Sequence, residues 1–398
     1  MELIPELAAK ASTYVALRRK IHAHPELGYE EHLTAALIVK CLQEYGIEVH
    51  KGIGKTGVVG VIAGTQPGLG IAIRADMDAL PLTEENDFDH ASQFPGKMHA
   101  CGHDGHTASL LAAADYLAQN RDFAGTVYLV FQPAEEGGAG AKAMIEDGLF
   151  ERFAIDEIYG YHNWPGYPEG HVALSPGPVM ASANEFKITI NGKGTHAGMP
   201  HLGVDCLLVA THLVQALQSI VSRNTNPLES VVLSTTKICA SDATNIISDS
   251  CELEGTVRCF SDAALDLVEQ RMSELTTQLC SAFGCHGELE FERHYPPTIN
   301  HLEATEHMTR VAEQVLGPEK VGPFTPTMGS EDFSFFLQAK PGCYLMLGNG
   351  DGQHRAHGHG MGPCSLHNPS YDFNDQLLPI AASLWVALIR DRLSATYK

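Results

Sequence analysis

Residues 106–133 read HTASLLAAADYLAQNRDFAGTVYLVFQP, and this stretch decides the fold class. Its first part, HTASLLAAADYLAQN (106–120), has the length and apolar spacing of a helix. Its last part, GTVYLVFQP (125–133), is a continuous β-rich run of the kind a strand shows when both its faces are buried. A helix linked to a buried strand by a few polar residues is half of a βαβ unit. The alternation continues upstream and downstream. EEHLTAALIVKCLQEY (30–45) is helical, with Gly46 as a natural stop. VVGVIAG (58–64) and IAIRA (71–75) are short strands, and a helix near 139–147 and a strand near 157–161 complete the series. The expected class is α/β: right-handed βαβ units in a mostly parallel sheet with helices on both faces.

The pattern changes after about residue 182. NEFKITIN (184–191) alternates apolar and polar, as a strand with one wet face does. A helix at 203–221, strands near 230–237 and 251–259, a helix at 262–282 and a strand near 287–293 follow. That order, β-α-β-β-α-β, is the split βαβ of a ferredoxin-like α+β domain. After Pro296-Pro297 the chain returns to α/β, with helices at 304–316, after Gly329 and at 375–394, and a strand at 342–347. The expected organisation is a discontinuous larger domain, 1–182 and 297–398, with a smaller domain inserted at 183–296.

Composition narrows the function. Lys plus Arg number 26 against 48 for Asp plus Glu, a formal charge of −22. Nucleic acid and anionic membrane both require basic surface, so neither is an expected partner. No apolar run approaches the ~18 residues of a membrane span, and the first residues lack the basic and apolar regions of a signal peptide. The 10 cysteines are scattered without a Cys-x-x-Cys pair, which suits reduced, mostly buried thiols and a cytoplasmic location.

In open α/β sheets the working residues sit at the carboxyl ends of strands. After IAIRA stands Asp76-Met77-Asp78. Before the central helix stands Cys101-Gly102-His103, and after GTVYLVF stands Glu135-Glu136. After 157–161 stands His162, and near the C-terminus His367. Each alone has a plain reading as a turn, cap or packing residue. Together they place metal-ligand side chains at successive junctions of one sheet edge. The mixture of Cys, His and carboxylate suits zinc, manganese, cobalt or nickel better than calcium or magnesium. Five or more donors suggest two divalent ions, which commonly share a water or hydroxide nucleophile. The His-rich stretch 354–359 reads instead as a flexible surface loop.

These runs resemble the co-catalytic metallopeptidases and amidohydrolases of the glutamate carboxypeptidase and aminoacylase type. The closest branch holds hippurate hydrolases, bacterial N-acyl-amino-acid amidohydrolases and plant auxin-conjugate hydrolases. The resemblance is carried by RKIHAHPELG (19–28), DMDALP (76–81), CGHDGH (101–106), Glu135-Glu136-Gly137, GTHAGMP (194–200), GSEDF (329–333) and LHN (366–368), in order along the chain. It implies that Cys101, His103, Glu136, His162 and His367 hold two metal ions, with Cys101 nominated as the bridging group. It implies Glu135 as general base and acid, and Asp78 as the carboxylate that orients a ligand imidazole. Many relatives outside the branch have His where this chain has Asp76.

The resemblance further implies that His196, in the inserted domain, stabilises the oxyanion at the site of the other subunit. Asn245 and Arg258 would hold the substrate's carbonyl or carboxylate. The expected function is hydrolysis of the amide bond of N-acyl or N-aroyl amino acids, hippurate-like or N-acetylated, by a metal-bound hydroxide. The inserted domain would be a lid and dimerisation module of a homodimer or higher homo-oligomer. Two other functions fit the same residues: a dipeptidase or carboxypeptidase of the same family, and a non-catalytic protein that binds metal or ligand on this scaffold. Glu135 speaks against the latter, since binding alone needs no general base.

Overall fold

The computed structural model describes residues 3–394. The chain divides into two compact units. One runs through Val179 and resumes at Ile299–Thr325 and from Phe335 onward; the other comprises Met180–Thr298 and Pro326–Ser334. The Gly329–Phe333 run thus groups with the smaller unit. No helix among the described residues is long and apolar enough to cross a membrane.

The larger unit is α/β, built on an eight-stranded sheet. Its order is Glu48–Ile53, Gly57–Ala63, Ala124–Gln132, Gln66–Asp76, Glu157–Pro165, Gly342–Gly350, Val172–Ala173 and Val321–Gly322. The four strands at its centre, Ala124–Gln132 through Gly342–Gly350, are parallel. Antiparallel pairs appear only towards the edges, where Gly57–Ala63 meets its two neighbours and where Val172–Ala173 meets Gly342–Gly350. Strand Gly342–Gly350 is buried at every residue, which is why such strands read as unbroken apolar runs rather than alternating ones.

Helix His103–Gln119 lies at the heart of this unit. It is buried on nearly every face, and its five Ala residues let neighbouring elements approach closely. Leu110, Leu111 and Leu117 join Phe131, Tyr159 and Trp385 in one core. Burial of each such Leu or Phe contributes roughly 1.5–3 kcal/mol. The helix starts three residues before the sequence suggests, because Gly102, at φ 95°, makes the turn that Ser, Thr or Asp usually makes. The strand expected at 157–161 runs to Pro165, because its parallel ladder with Gly342–Gly350 continues through the pairs His162–Met346 and Asn163–Leu347. His162 is therefore a strand residue, not a loop residue. The helix expected near 139–147 is present as Gly140–Glu146, flanked by the short helices Glu135–Gly138 and Leu149–Arg152, with Ala139 before it in a left-handed conformation.

The smaller unit has a four-stranded antiparallel sheet in the order Val231–Cys239, Ser250–Cys259, Ala183–Asn191, His286–Tyr295. Helices Cys206–Ser219 and Asp262–Ala282 pack on it through Val209, Leu213, Val268 and Met272. Asp205 and Ser261 cap these helices by accepting from backbone N–H groups of the first turn. This is the ferredoxin-like arrangement.

Candidate metal centre

Strands Ala124–Gln132, Gln66–Asp76 and Glu157–Pro165 are adjacent and parallel, so the segments leaving their C-terminal ends open on one side of the sheet. Asp76 closes the second of these strands, Glu135 and Glu136 follow the first, and His162 lies in the third. Cys101 and His103 precede and begin the buried helix. These elements bring ligand atoms of Cys101, His103 and His162 within 4.8 Å of one another, and likewise those of Cys101, Glu136 and His367, and of His103, Glu135 and Glu136. Cys101 belongs to two of the three groups.

The imidazoles are held in definite orientations. His103 Nδ1 lies 3.0 Å from the Asp78 carbonyl oxygen and 3.1 Å from Asp78 Oδ1. Its Nε2 is buried with no hydrogen-bond partner. His162 Nδ1 donates to the Asn163 carbonyl at 2.6 Å, which turns Nε2 towards Cys101 Sγ at 3.3 Å. The second Asp78 oxygen accepts the Glu136 N–H at 2.9 Å. One carboxylate thus joins the segments bearing His103 and Glu136. His367 Nε2 stands 3.2 Å from Glu136 Oε1, close enough to pair but without hydrogen-bond geometry.

Two non-glycine residues here have left-handed backbones. His367 has φ 59°, and its N–H donates to the Ala100 carbonyl at 2.8 Å. Ala134, immediately before Glu135, has φ 50°. Its N–H donates at 2.8 Å to the buried Glu31 carboxylate, whose other oxygen accepts from Thr56. Such conformations cost about 1–3 kcal/mol each and persist only where surrounding contacts impose them.

Burial pushes the Cys101 thiol well above its ordinary pKa, and the carboxylates of Glu136, Glu135 and Asp76 push it further the same way. Burial pulls His103 down, but Asp76 and Asp78 hold it up at about 10. Burial drives His162 well below its ordinary value, so it stays neutral. The cluster therefore concentrates negative charge and thiol–imidazole donors in a space buried around Cys101, His103 and His162 and open at His367, with one imidazole nitrogen left bare. A divalent transition metal satisfies all of these at once, and the donor set fits such ions.

The remaining site residues of the sequence reading lie in the smaller unit. His196 is exposed on a two-residue strand paired with Ile246–Ile247, and its Nδ1 accepts the Gly198 N–H at 3.0 Å. Asn245 is exposed beside it, its carbonyl accepting the Ala197 N–H at 3.0 Å. Arg258 is half-buried near the end of its strand and donates from Nη1 to Ser330 Oγ at 3.0 Å. The stretch 354–359 joins none of the ligand groups among the described residues. It is not a free surface tract either: His359 Nε2 lies 3.0 Å from Asp372 Oδ2, and Arg355 donates to the Gly362 carbonyl.

Reading the sequence assigned no role to Asp76, His106, Asn163 or Tyr371, yet they form a buried chain beneath the centre. His106 Nδ1 lies 2.6 Å from Asp76 Oδ1, and its Nε2 lies 2.7 Å from Asn163 Oδ1. The Asn163 carboxamide meets the Tyr371 hydroxyl at 2.5 Å. The available signal was the three-residue spacing of His103 and His106, which sets both on one helix face. Gly102 admits this chain: a Cβ there would lie 2.3 Å from Asn163 Oδ1 and 2.6 Å from the Tyr371 oxygen.

Known proteins share this architecture. The model of peptidase family M20/M25/M40 matches residues 72–391. The hippurate hydrolase of Campylobacter jejuni is 42% identical over 390 residues, 98% of this chain and 98% of its own. The N-acetyl-L-cysteine deacetylase of Bacillus subtilis is 43% identical over 344 residues, 86% of this chain and 82% of its own. The crystal structure of a dinuclear metal binding peptidase from the M20 family, from Bacillus subtilis, has a TM-score of 0.84 at 31% identity, covering 98% of this chain and 99% of that one. The chain is a metal-dependent amidohydrolase and belongs to peptidase family M20/M25/M40.

Proposed function

We propose that this protein hydrolyses the amide bond of N-acyl or N-aroyl amino acids, releasing a carboxylate and a free amino acid. Hippurate and N-acetyl amino acids are the leading substrates. The observation that carries the reading is the convergence of Cys101, His103, Glu136, His162 and His367 with Glu135 one residue before Glu136. The names of the two relatives, a hippurate hydrolase and an N-acetyl-L-cysteine deacetylase, support the substrate class.

In this reading the five residues would hold two divalent ions, drawn from zinc, manganese, cobalt and nickel. Bound there, the ions supply Lewis acidity, polarising the substrate carbonyl and making water acidic enough to ionise near neutral pH. Glu135 takes the proton of the attacking water on its carboxylate and delivers it to the leaving nitrogen. Asp78 keeps His103 turned so that Nε2 faces the centre. His196, from the second subunit of a homodimer, donates to the carbonyl oxygen as charge develops on it. Arg258 holds the free carboxylate and Asn245 the carbonyl. In a chain of net charge −22, Arg258 and the ions provide the positive potential an anionic substrate needs. The smaller unit acts as lid and dimerisation module, and the enzyme works in the cytoplasm.

The test is a panel of hippurate, N-acetyl amino acids and dipeptides against metal-loaded protein, with a chelated control. Turnover of hippurate or N-acetyl amino acids, lost on chelation, is expected. Cleavage of dipeptides alone would move the assignment to a dipeptidase or carboxypeptidase. Indifference to all three classes would sink the substrate claim.

A further inference from the structure

We propose that His106 is a positioning strut, not a metal ligand: it ties Asp76 to the peptide of Asn163 and thereby fixes the direction in which His162 presents Nε2. The inference rests on the metal-centre reading above. His106 is the imidazole that invites the opposite assignment. Its ring centroid lies 4.8 Å from that of His162, and its ligand atoms fall within reach of Asp76 and His103 as a further potential ion-binding group.

Two observations exclude that role. First, both nitrogens are occupied. Nδ1 faces Asp76 Oδ1 at 2.6 Å; Nε2 receives the Asn163 N–H at 3.1 Å, with the Asn163 carboxamide closing on it at 2.7 Å. Second, the other oxygen of Asp76 accepts from the buried Arg74 guanidinium at 2.6 Å, and Arg74 Nε donates to Gln132. An ion on Asp76 would sit beside a fixed positive charge in a site that excludes water, where repulsion is strongest.

The same contacts define what His106 does. The Asn163 backbone is gripped at its N–H by His106, while its carbonyl, in the next peptide unit, accepts from His162 Nδ1 at 2.6 Å. A displacement of His106 is therefore passed through the backbone of one residue, Asn163, to the orientation of His162. The Asn163 side chain extends the grip to Tyr371, four residues beyond His367. The strut thus relates two of the proposed ligands, His162 and His367, to the sheet floor at Asp76 and Arg74.

The test uses the whole protein. His106→Gln is expected to weaken one of the two ions, that shared by Cys101, His103 and His162, by about 10–100-fold, the usual effect of losing a group that orients a ligand. The other ion keeps its affinity. In cobalt-loaded protein the thiolate-to-metal absorption should shift, while circular dichroism stays unchanged. Wild-type affinity for both ions and an unshifted spectrum in a folded variant would overturn the proposal. Should the variant not fold, wild-type protein labelled with nitrogen-15 at histidine and loaded with cadmium-113 decides. Metal–nitrogen coupling at His103 and His162 but not His106 is expected, and coupling at His106 overturns the strut alone. Failure of the wild type to bind any ion would overturn the metal centre and the strut together.

Discussion

Asp78→Asn replaces one oxygen by an NH2 group, and the structure sets its cost. Both carboxylate oxygens face donors: Oδ1 faces His103 Nδ1 at 3.1 Å, and Oδ2 receives the Glu136 N–H at 2.9 Å. An amide has one acceptor, so in either orientation its NH2 confronts an N–H in a buried site. Turning the NH2 towards His103 costs less, because the Asp78 carbonyl, 3.0 Å from the same nitrogen, still accepts its proton. A buried donor left without its acceptor costs about 1–3 kcal/mol, and the remaining carbonyl puts this case in the lower half. At about 1.4 kcal/mol per tenfold, metal affinity should fall roughly tenfold, with kcat falling less at saturating metal. Competition with a chromogenic chelator at fixed pH measures the affinity. The melting temperature of the metal-free variant checks that the fold survives. A variant that binds both ions as tightly as wild type would refute the claim that Asp78 orients His103.

Glu135→Gln should retain both ions while losing about 10²–10⁴ of kcat, the usual worth of a general acid–base; elemental analysis and a hydrolysis assay on one preparation decide it, and unchanged turnover would remove Glu135 from the mechanism. Gly102→Ala forces a side chain into a left-handed backbone at φ 95° and against Asn163 Oδ1. A loss of about 1–3 kcal/mol or more, read as a lower urea midpoint, is expected, and an unchanged midpoint would show that the loop relaxes freely. His22 supplies a pH signature. Burial lowers its pKa, but the carboxylates of Asp104 and Glu84 hold it up at about 10, against roughly 6.5 in an unfolded chain. Its contribution to stability is therefore full below about pH 6.5 and is lost as pH rises through about 10. Melting curves of metal-free protein across that range should show the decline, and His22→Gln should show a smaller one. Equal slopes in the two proteins would remove His22 as its source.

The legible parts of the fold were those whose buried faces are apolar. The run 106–133 declares a helix and a strand because Leu111, Leu117, Val127 and Leu129 are both hydrophobic and buried. Helix Ala11–His22 was not legible, since the residues it buries include Arg18 and His22 beside Tyr14 and Ile21. A charged side chain on the inward face breaks the pattern on which periodicity relies. Here Arg18 is compensated by Asp372 and Asp375, more than 350 positions away in sequence. Strand Glu48–Ile53 escaped for the opposite reason, being an edge strand with little burial and hence little pattern. At the site, donor types at strand ends can be read from a sequence. The partners of each nitrogen cannot, because they depend on Gln66–Asp76 lying between Ala124–Gln132 and Glu157–Pro165. That order is a property of the assembled sheet, and it is what carries Asp76 and Asn163 to opposite sides of His106.

The left-handed backbone at Ala134 has a consequence for engineering. Selection for heat tolerance rewards glycine at such positions, since it removes the clash between Cβ and the backbone, about 1–2 kcal/mol, and surrenders only part of that gain in chain entropy. At Ala134 the reward would be misleading. The methyl group sits against Gly28, where an added Cβ would lie 3.0 Å away, and it helps wedge the turn that aims the next residue, Glu135. A screen that scores melting temperature alone would favour loosening this wedge, and thermostable variants with slower turnover should carry substitutions at Ala134 more often than at comparable turns elsewhere in the chain.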